Sequence, residues 1–110
     1  MQIALTNPNK MVRKKVRKEF NKFNISMLKK SKEQIIDNCN KIRFFYCIKE
    51  FFLYNEQISE STWKFLVDKD NIIHQMWNLY LKYEELEVNS WSNIEEILAV
   101  WMLKQTRMVS

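Results

Sequence analysis

His74 is the only histidine in the chain, which excludes a histidine-based triad and a multi-histidine metal site. A single imidazole can serve as a general base. Beside Ile72 and Ile73, within a helical apolar pattern, His74 is expected instead to have a structural or surface role. Cys39 and Cys47 are the only cysteines, with no CxxC spacing and no neighbouring histidine, so neither a zinc site nor a thiolate nucleophile is supported. On one helix they would be separated by about 12 Å of rise, beyond the roughly 7 Å between Cα atoms that a disulfide allows. Buried, reduced thiols are expected. Glu84, Glu85 and Glu87, and then Glu95 and Glu96, are close enough in sequence to pair for acid–base work or to hold a hard cation. Both groups lack the glycine-turned loop and the spaced aspartates of a calcium site. They read better as solvated helix ends, Glu95 and Glu96 near a positive N-terminal dipole. No catalytic residue, cofactor or metal ligand is assigned, and the chain is expected not to be an enzyme.

Charge carries the sharper signal. Residues 1–50 hold 13 Lys/Arg against 4 Asp/Glu, whereas residues 51–110 hold 5 against 9. One end should therefore attract anions and the other cations. The positive excess is densest between Lys10 and Lys32, and the acidic pole runs from Glu84 to Glu96. With 110 residues the chain is expected to form a single domain over residues 1–110, large enough for one core but not for a roomy catalytic cleft as well. Glycine is absent and proline occurs once. Phosphate-cradling loops and two-residue hairpins depend on glycine at positive φ, so β-rich and Rossmann-like folds lose their usual turns.

The elements that remain are helices. Asn7 can cap and Pro8 can open a basic helix over about 8–23. Val12, Val16, Phe20 and Phe23 form a stripe about 80° wide, and Lys10, Arg13, Lys14, Lys15, Arg17, Lys18 and Lys22 cover most of the remaining circumference. Asn24 and Ser26 are expected to end or kink this helix. Ser31 and Gln34 form a capping box that opens a long helix over about 32–54. Its face is read as Ile35, Cys39, Ile42, Tyr46 and Leu53, widened by Ile36, Phe45, Ile48 and Phe52. Ser59 can cap a helix over 60–67, and Asp70 can cap one over 71–82. A second capping box at Ser92 and Glu95 opens a helix over 93–105, with Ile94, Ile97, Leu98 and Trp101 on one face. Trp63, Trp77 and Trp91 stand fourteen residues apart, but their flanking residues do not match, so no repeat is inferred. The fold expected is all-α, a single compact bundle of about five helices around a long aromatic-rich helix. Phe44, Phe45, Phe51, Phe52 and Tyr54 are more rings than one helix face can hide, so either the other helices wrap them fully or a patch remains for a partner or a second copy, and the second outcome is expected.

Across residues 32–102 the chain resembles a family of short, uncharacterised helical proteins of low-GC Gram-positive bacteria, their phages and mobile elements. The likeness lies in Glu33-Gln34-Ile35-Ile36, in the segment from Ile58 to Leu66, and in the segment from Ile72 to Leu81. The family usually has small residues where this chain has Asn38-Cys39-Asn40, and the basic first helix is not among its features. The resemblance implies an all-helical fold and an accessory role linked to phages or mobile elements, and it brings no active site.

Two functions follow as expectations. In the first, the protein is a non-catalytic inhibitor or adaptor that docks on a host protein or nucleoprotein complex, for which a CRISPR effector or other defence nuclease is a fitting target. In the second, it is a small regulator that binds DNA or RNA without sequence preference through its first helix. The contact residues expected are Lys10, Arg13, Lys14, Arg17, Lys18 and Lys22 at the basic end, and Glu84, Glu85 and Glu87 at the acidic end. Reversing Arg13, Lys14, Arg17 and Lys18 to Glu should then leave thermal stability close to wild type. The opening residues MQIALTNPNK hold no apolar core behind a basic start, and no segment approaches the about 20 apolar residues of a membrane span. A cytoplasmic chain without a membrane partner is expected.

Overall fold

The computed structural model describes residues 7–82 and 91–109. These form six α-helices: α1 (Pro8–Leu28), α2 (Lys32–Asp37), α3 (Cys39–Tyr54), α4 (Glu60–Leu66), α5 (Ile72–Lys82) and α6 (Trp91–Val109). No strand occurs among the described residues, so the all-α expectation holds and the expected helix count changes from five to six. No helix among them is long and apolar enough to cross a membrane.

The first helix runs farther than expected. Asn24 and Ser26 lie inside α1, which ends at Leu28 with the Lys29 and Lys30 N–H groups donating to the Ser26 and Met27 carbonyls. Met27 falls on the same stripe as Val12, Val16 and Phe23 and is buried with them. That extra packing outweighs the weak helix propensity of Asn and Ser. Asn7 stands at the N-cap without a side-chain capping bond, followed by Pro8.

The expected 32–54 helix is two helices. Ser31 and Gln34 make the capping box as read, each side chain bonding the other's backbone N–H. The break comes at Asn38, with φ −101° and ψ 13°. Its side-chain amide donates to the Gln34 carbonyl at 2.7 Å, a local bond that competes with helical continuation. The chain turns on that residue and α3 begins at Cys39. The face read from the sequence is buried only in part, at Phe45, Ile48 and Phe52. Phe44, Phe45, Ile48, Phe51 and Phe52 face the core, whereas Ile35, Cys39 and Tyr46 are exposed. Cys39 is therefore an exposed thiol, not a buried one. Cys47 is half-buried, and burial pushes its thiol pKa up despite the nearby Arg43.

The core gathers Val12, Val16, Phe23 and Met27 from α1 with the five α3 residues, Trp63 and Leu66 from α4, and Ile72, Ile73 and Met76 from α5. From α6 it takes Ile94, Ile97, Leu98 and Trp101, the face read from the sequence. Phe23 stacks on Phe45 with ring centroids 3.9 Å apart, and the Phe45 ring meets the His74 ring edge-on at 4.7 Å. That trio joins α1, α3 and α5. Four of the five rings that pointed to a second copy are buried within the chain, leaving Tyr54 exposed.

The caps of the later helices divide. Ser59 caps α4 as expected, accepting from the Thr62 N–H. Asp70 does not cap α5. Asn71, at φ 51°, takes the left-handed turn before the helix, a conformation Asn tolerates better than most residues and that falls to it in a chain without glycine. α6 starts at Trp91, so Ser92 lies inside it and Glu95 and Glu96 fall beyond its first turn. The expected second capping box and the dipole argument for those glutamates are thereby corrected.

Candidate functional site

The charged residues of α1 divide by direction. Arg13, Lys15 and Glu19 flank the apolar stripe and turn toward the protein. The Arg13 Nε donates to the Phe52 carbonyl at 3.0 Å, and its guanidinium lies 5.2 Å from the Trp63 ring centroid. The Lys15 ammonium donates to the carbonyls of Val67 (2.9 Å) and Lys69 (2.8 Å), just past the end of α4. A cation there satisfies carbonyls that the helix leaves open and complements its negative end. Lys15 also pairs with Asp70 at 3.5 Å.

Glu19 supplies the cap that Asp70 was expected to give. Its Oε1 accepts from the Ile73 N–H at 2.8 Å, and its Oε2 accepts from the His74 N–H at 2.9 Å. Oε2 also lies 2.7 Å from His74 Nδ1. The Glu19 side chain is 9% exposed. A carboxylate is an acceptor only, so Nδ1 carries the proton in this contact. Its bond holds the imidazole in one orientation, with Nε2 as the ring nitrogen left over.

Lys10, Lys14, Arg17, Lys18 and Lys22 point outward and are exposed. None of the five forms an ion pair with another described residue. Glu19 is the sole acid between Lys10 and Lys32, and it is turned inward. Among the described residues, no acid pairs with the outward face of α1. That face continues into a cleft of about 710 Å³ between α1 and the start of α5, lined by Lys15, Lys18, Glu19, Lys22, Asp70, Asn71 and His74.

Of the residues expected at the basic end, five thus share one open face, while Arg13 is held in the fold by two contacts. Glu84, Glu85 and Glu87 lie outside the described residues. Glu95 and Glu96 are exposed on α6. No group of three or more His, Cys, Asp or Glu side chains among the described residues is arranged to hold a metal ion. Sequence reasoning missed Glu19 and Lys15. The available signal was position: on the helical wheel both sit at the edge of the apolar stripe, within reach of whatever packs against it. No family model, curated protein or solved structure matches the chain.

Proposed function

We infer that this chain is a non-catalytic binding protein that docks on a host nucleoprotein complex through the outward face of α1. One observation carries this reading. Lys10, Lys14, Arg17, Lys18 and Lys22 are exposed and unneutralised by any described acid. Five like charges on one helix repel one another, and an anionic surface relieves that repulsion while steering the encounter. The accessory role implied by the resemblance makes the complex a target to be inhibited or modulated, and a CRISPR effector or other defence nuclease offers suitable anionic surfaces. Pull-down from the host followed by kinetics tests the reading. The Lys10→Glu/Lys14→Glu/Arg17→Glu variant should associate more slowly at low salt, and the deficit should shrink as salt screens over about 8–10 Å. Unchanged association and affinity at low salt would overturn it and make the acidic segment around Glu84, Glu85 and Glu87 the leading contact.

A second reading, a regulator that binds DNA or RNA directly, is favoured by spacing. Lys10, Lys14, Lys18 and Lys22 recur every fourth residue, about 6 Å of rise apart, a periodic row of charge suited to a polyanion. Micromolar binding to random oligonucleotides with a steep salt dependence supports it, and no binding at low salt removes it.

A further inference from the structure

We propose that the cleft between α1 and α5 is a proton-linked phosphodiester site, in which Lys18, Lys22 and the outer nitrogen of His74 hold one phosphate of a nucleic-acid strand. The proposal deepens the reading above and rests on the outward face of α1 being the binding surface.

The cleft has the right free groups because its other charges are already engaged. Both Glu19 oxygens are occupied by the Ile73 and His74 N–H groups and by the His74 ring. The backbone donors at the start of α5 are consequently capped, and the site does not depend on them. Lys15 is held by the Val67 and Lys69 carbonyls and by Asp70. Lys18 and Lys22 remain, one turn apart on the cleft wall, with His74 across from them. The His74 side chain is 44% exposed. Its Nδ1 faces Glu19, so Nε2 is the atom it can offer to a ligand.

Nε2 donates to an oxyanion only when the ring is an imidazolium; in the neutral ring with Nδ1–H it is itself an acceptor. Binding a phosphate in this cleft therefore takes up a proton. The groups facing the ring oppose and favour that proton in identifiable ways. Lys15, Lys18 and Lys22 of α1 disfavour it, and Glu19 of α1 and Asp70 before α5 favour it. From α3 the ring meets Phe45, over which the Lys41 ammonium stands 5.8 Å from the centroid. A bound phosphate neutralises the lysine contribution, so proton and phosphate each raise the affinity for the other by the same factor.

His74 being the only histidine, its ring protons give one unambiguous NMR signal. The test follows that signal with pH at fixed ionic strength, alone, with oligothymidylate and with inorganic phosphate, alongside oligothymidylate binding by fluorescence anisotropy. Oligothymidylate should raise the midpoint of the His74 titration, and affinity should rise about tenfold from about pH 8 to about pH 5.5, the scale of one charge-assisted hydrogen bond. His74→Gln should keep the affinity found at high pH and lose the pH-dependent gain. Lys18→Gln/Lys22→Gln, at two exposed positions, should abolish the midpoint shift in a protein that still folds. PH-independent oligonucleotide binding with an unmoved His74 signal would overturn the cleft and leave the outward face standing. An equal midpoint shift with inorganic phosphate would overturn the assignment to a strand. Absence of oligonucleotide binding at low salt would overturn the proposal as well, and the partner kinetics of the Lys10, Lys14 and Arg17 variant would then decide the broader reading separately.

Discussion

The two faces of α1 use the same residue types for opposite ends. Arg13 and Lys15 are chemically equivalent to Arg17 and Lys14, their helical neighbours. Yet the first pair spends its hydrogen bonds on the carbonyls of Phe52, Val67 and Lys69, while the second pair is exposed and has no ion-pair partner among the described residues. The difference lies in what each side chain meets. Lys15 and Arg17 flank Val16 one residue's rotation to either side, yet Lys15 reaches the carbonyls just past α4 while Arg17 is exposed. A basic helix is therefore not one functional unit. Its edges clamp the bundle and its crest remains available.

The sharpest test of that division is on the inner face itself. Phe23 is 7% exposed and stacks on Phe45, so Phe23→Ala should cost about 3–5 kcal/mol in chemical denaturation. Phe20, only half-buried beneath the Lys49 ammonium and the Tyr46 ring, should cost distinctly less when truncated in the same way. Equal losses would show that the stripe is wider than drawn.

Next in size is the carboxylate. Glu19→Ala leaves two backbone N–H groups at the start of α5 and the His74 ring without their acceptor. A loss of about 1–3 kcal/mol is expected in denaturant melts. Amide exchange at Ile73 and His74 should speed up more than exchange in α3, because the damage begins at the cap. Uniform exchange changes would place the role of Glu19 elsewhere.

Smaller again are the two inward cations. Arg13→Leu and Lys15→Met should each lower stability by about 1–2 kcal/mol, through the lost charged hydrogen bonds and, for Arg13, the lost contact with Trp63. A mutant carrying both should be nearly additive, since the two reach different helix ends. The Arg13 contacts with Phe52 and Trp63 run against the expectation that reversing Arg13 with its neighbours leaves stability close to wild type.

The smallest effect on stability, and the largest on association, belongs to the crest. Lys10→Glu/Lys14→Glu/Arg17→Glu should melt close to wild type, as exposed charges generally do when exchanged. Its association rate with the partner should fall at low salt and recover toward wild type at high salt. A clear drop in melting temperature would erase the distinction between edge and crest.

Much of this arrangement was legible in the residues alone. The absence of glycine, the Pro8 start, the Ser31 and Ser59 caps and the apolar faces of α1 and α6 are local matters of periodicity and capping chemistry, which a sequence displays directly. The Asn38 break was also local, but a short side chain's competing bond is energetically close to helical continuation, and sequence spacing does not decide between them. Phe45, Ile48 and Phe52 of the face read from the sequence are buried as expected, whereas Ile35, Ile36, Cys39 and Tyr46, wrongly included in it, are exposed.

What the sequence determined by itself was that the chain is helical, where most of its helices begin, and that its charge is polarised. Those properties arise from interactions over three or four residues. The tertiary structure decided which cations are free, that Glu19 rather than Asp70 caps α5, and that His74 faces a lysine-lined cleft. Each depends on partners 39 to 55 residues away in sequence. A carboxylate or ammonium on a helix edge has no fixed role until another element presents the donors or carbonyls it can satisfy.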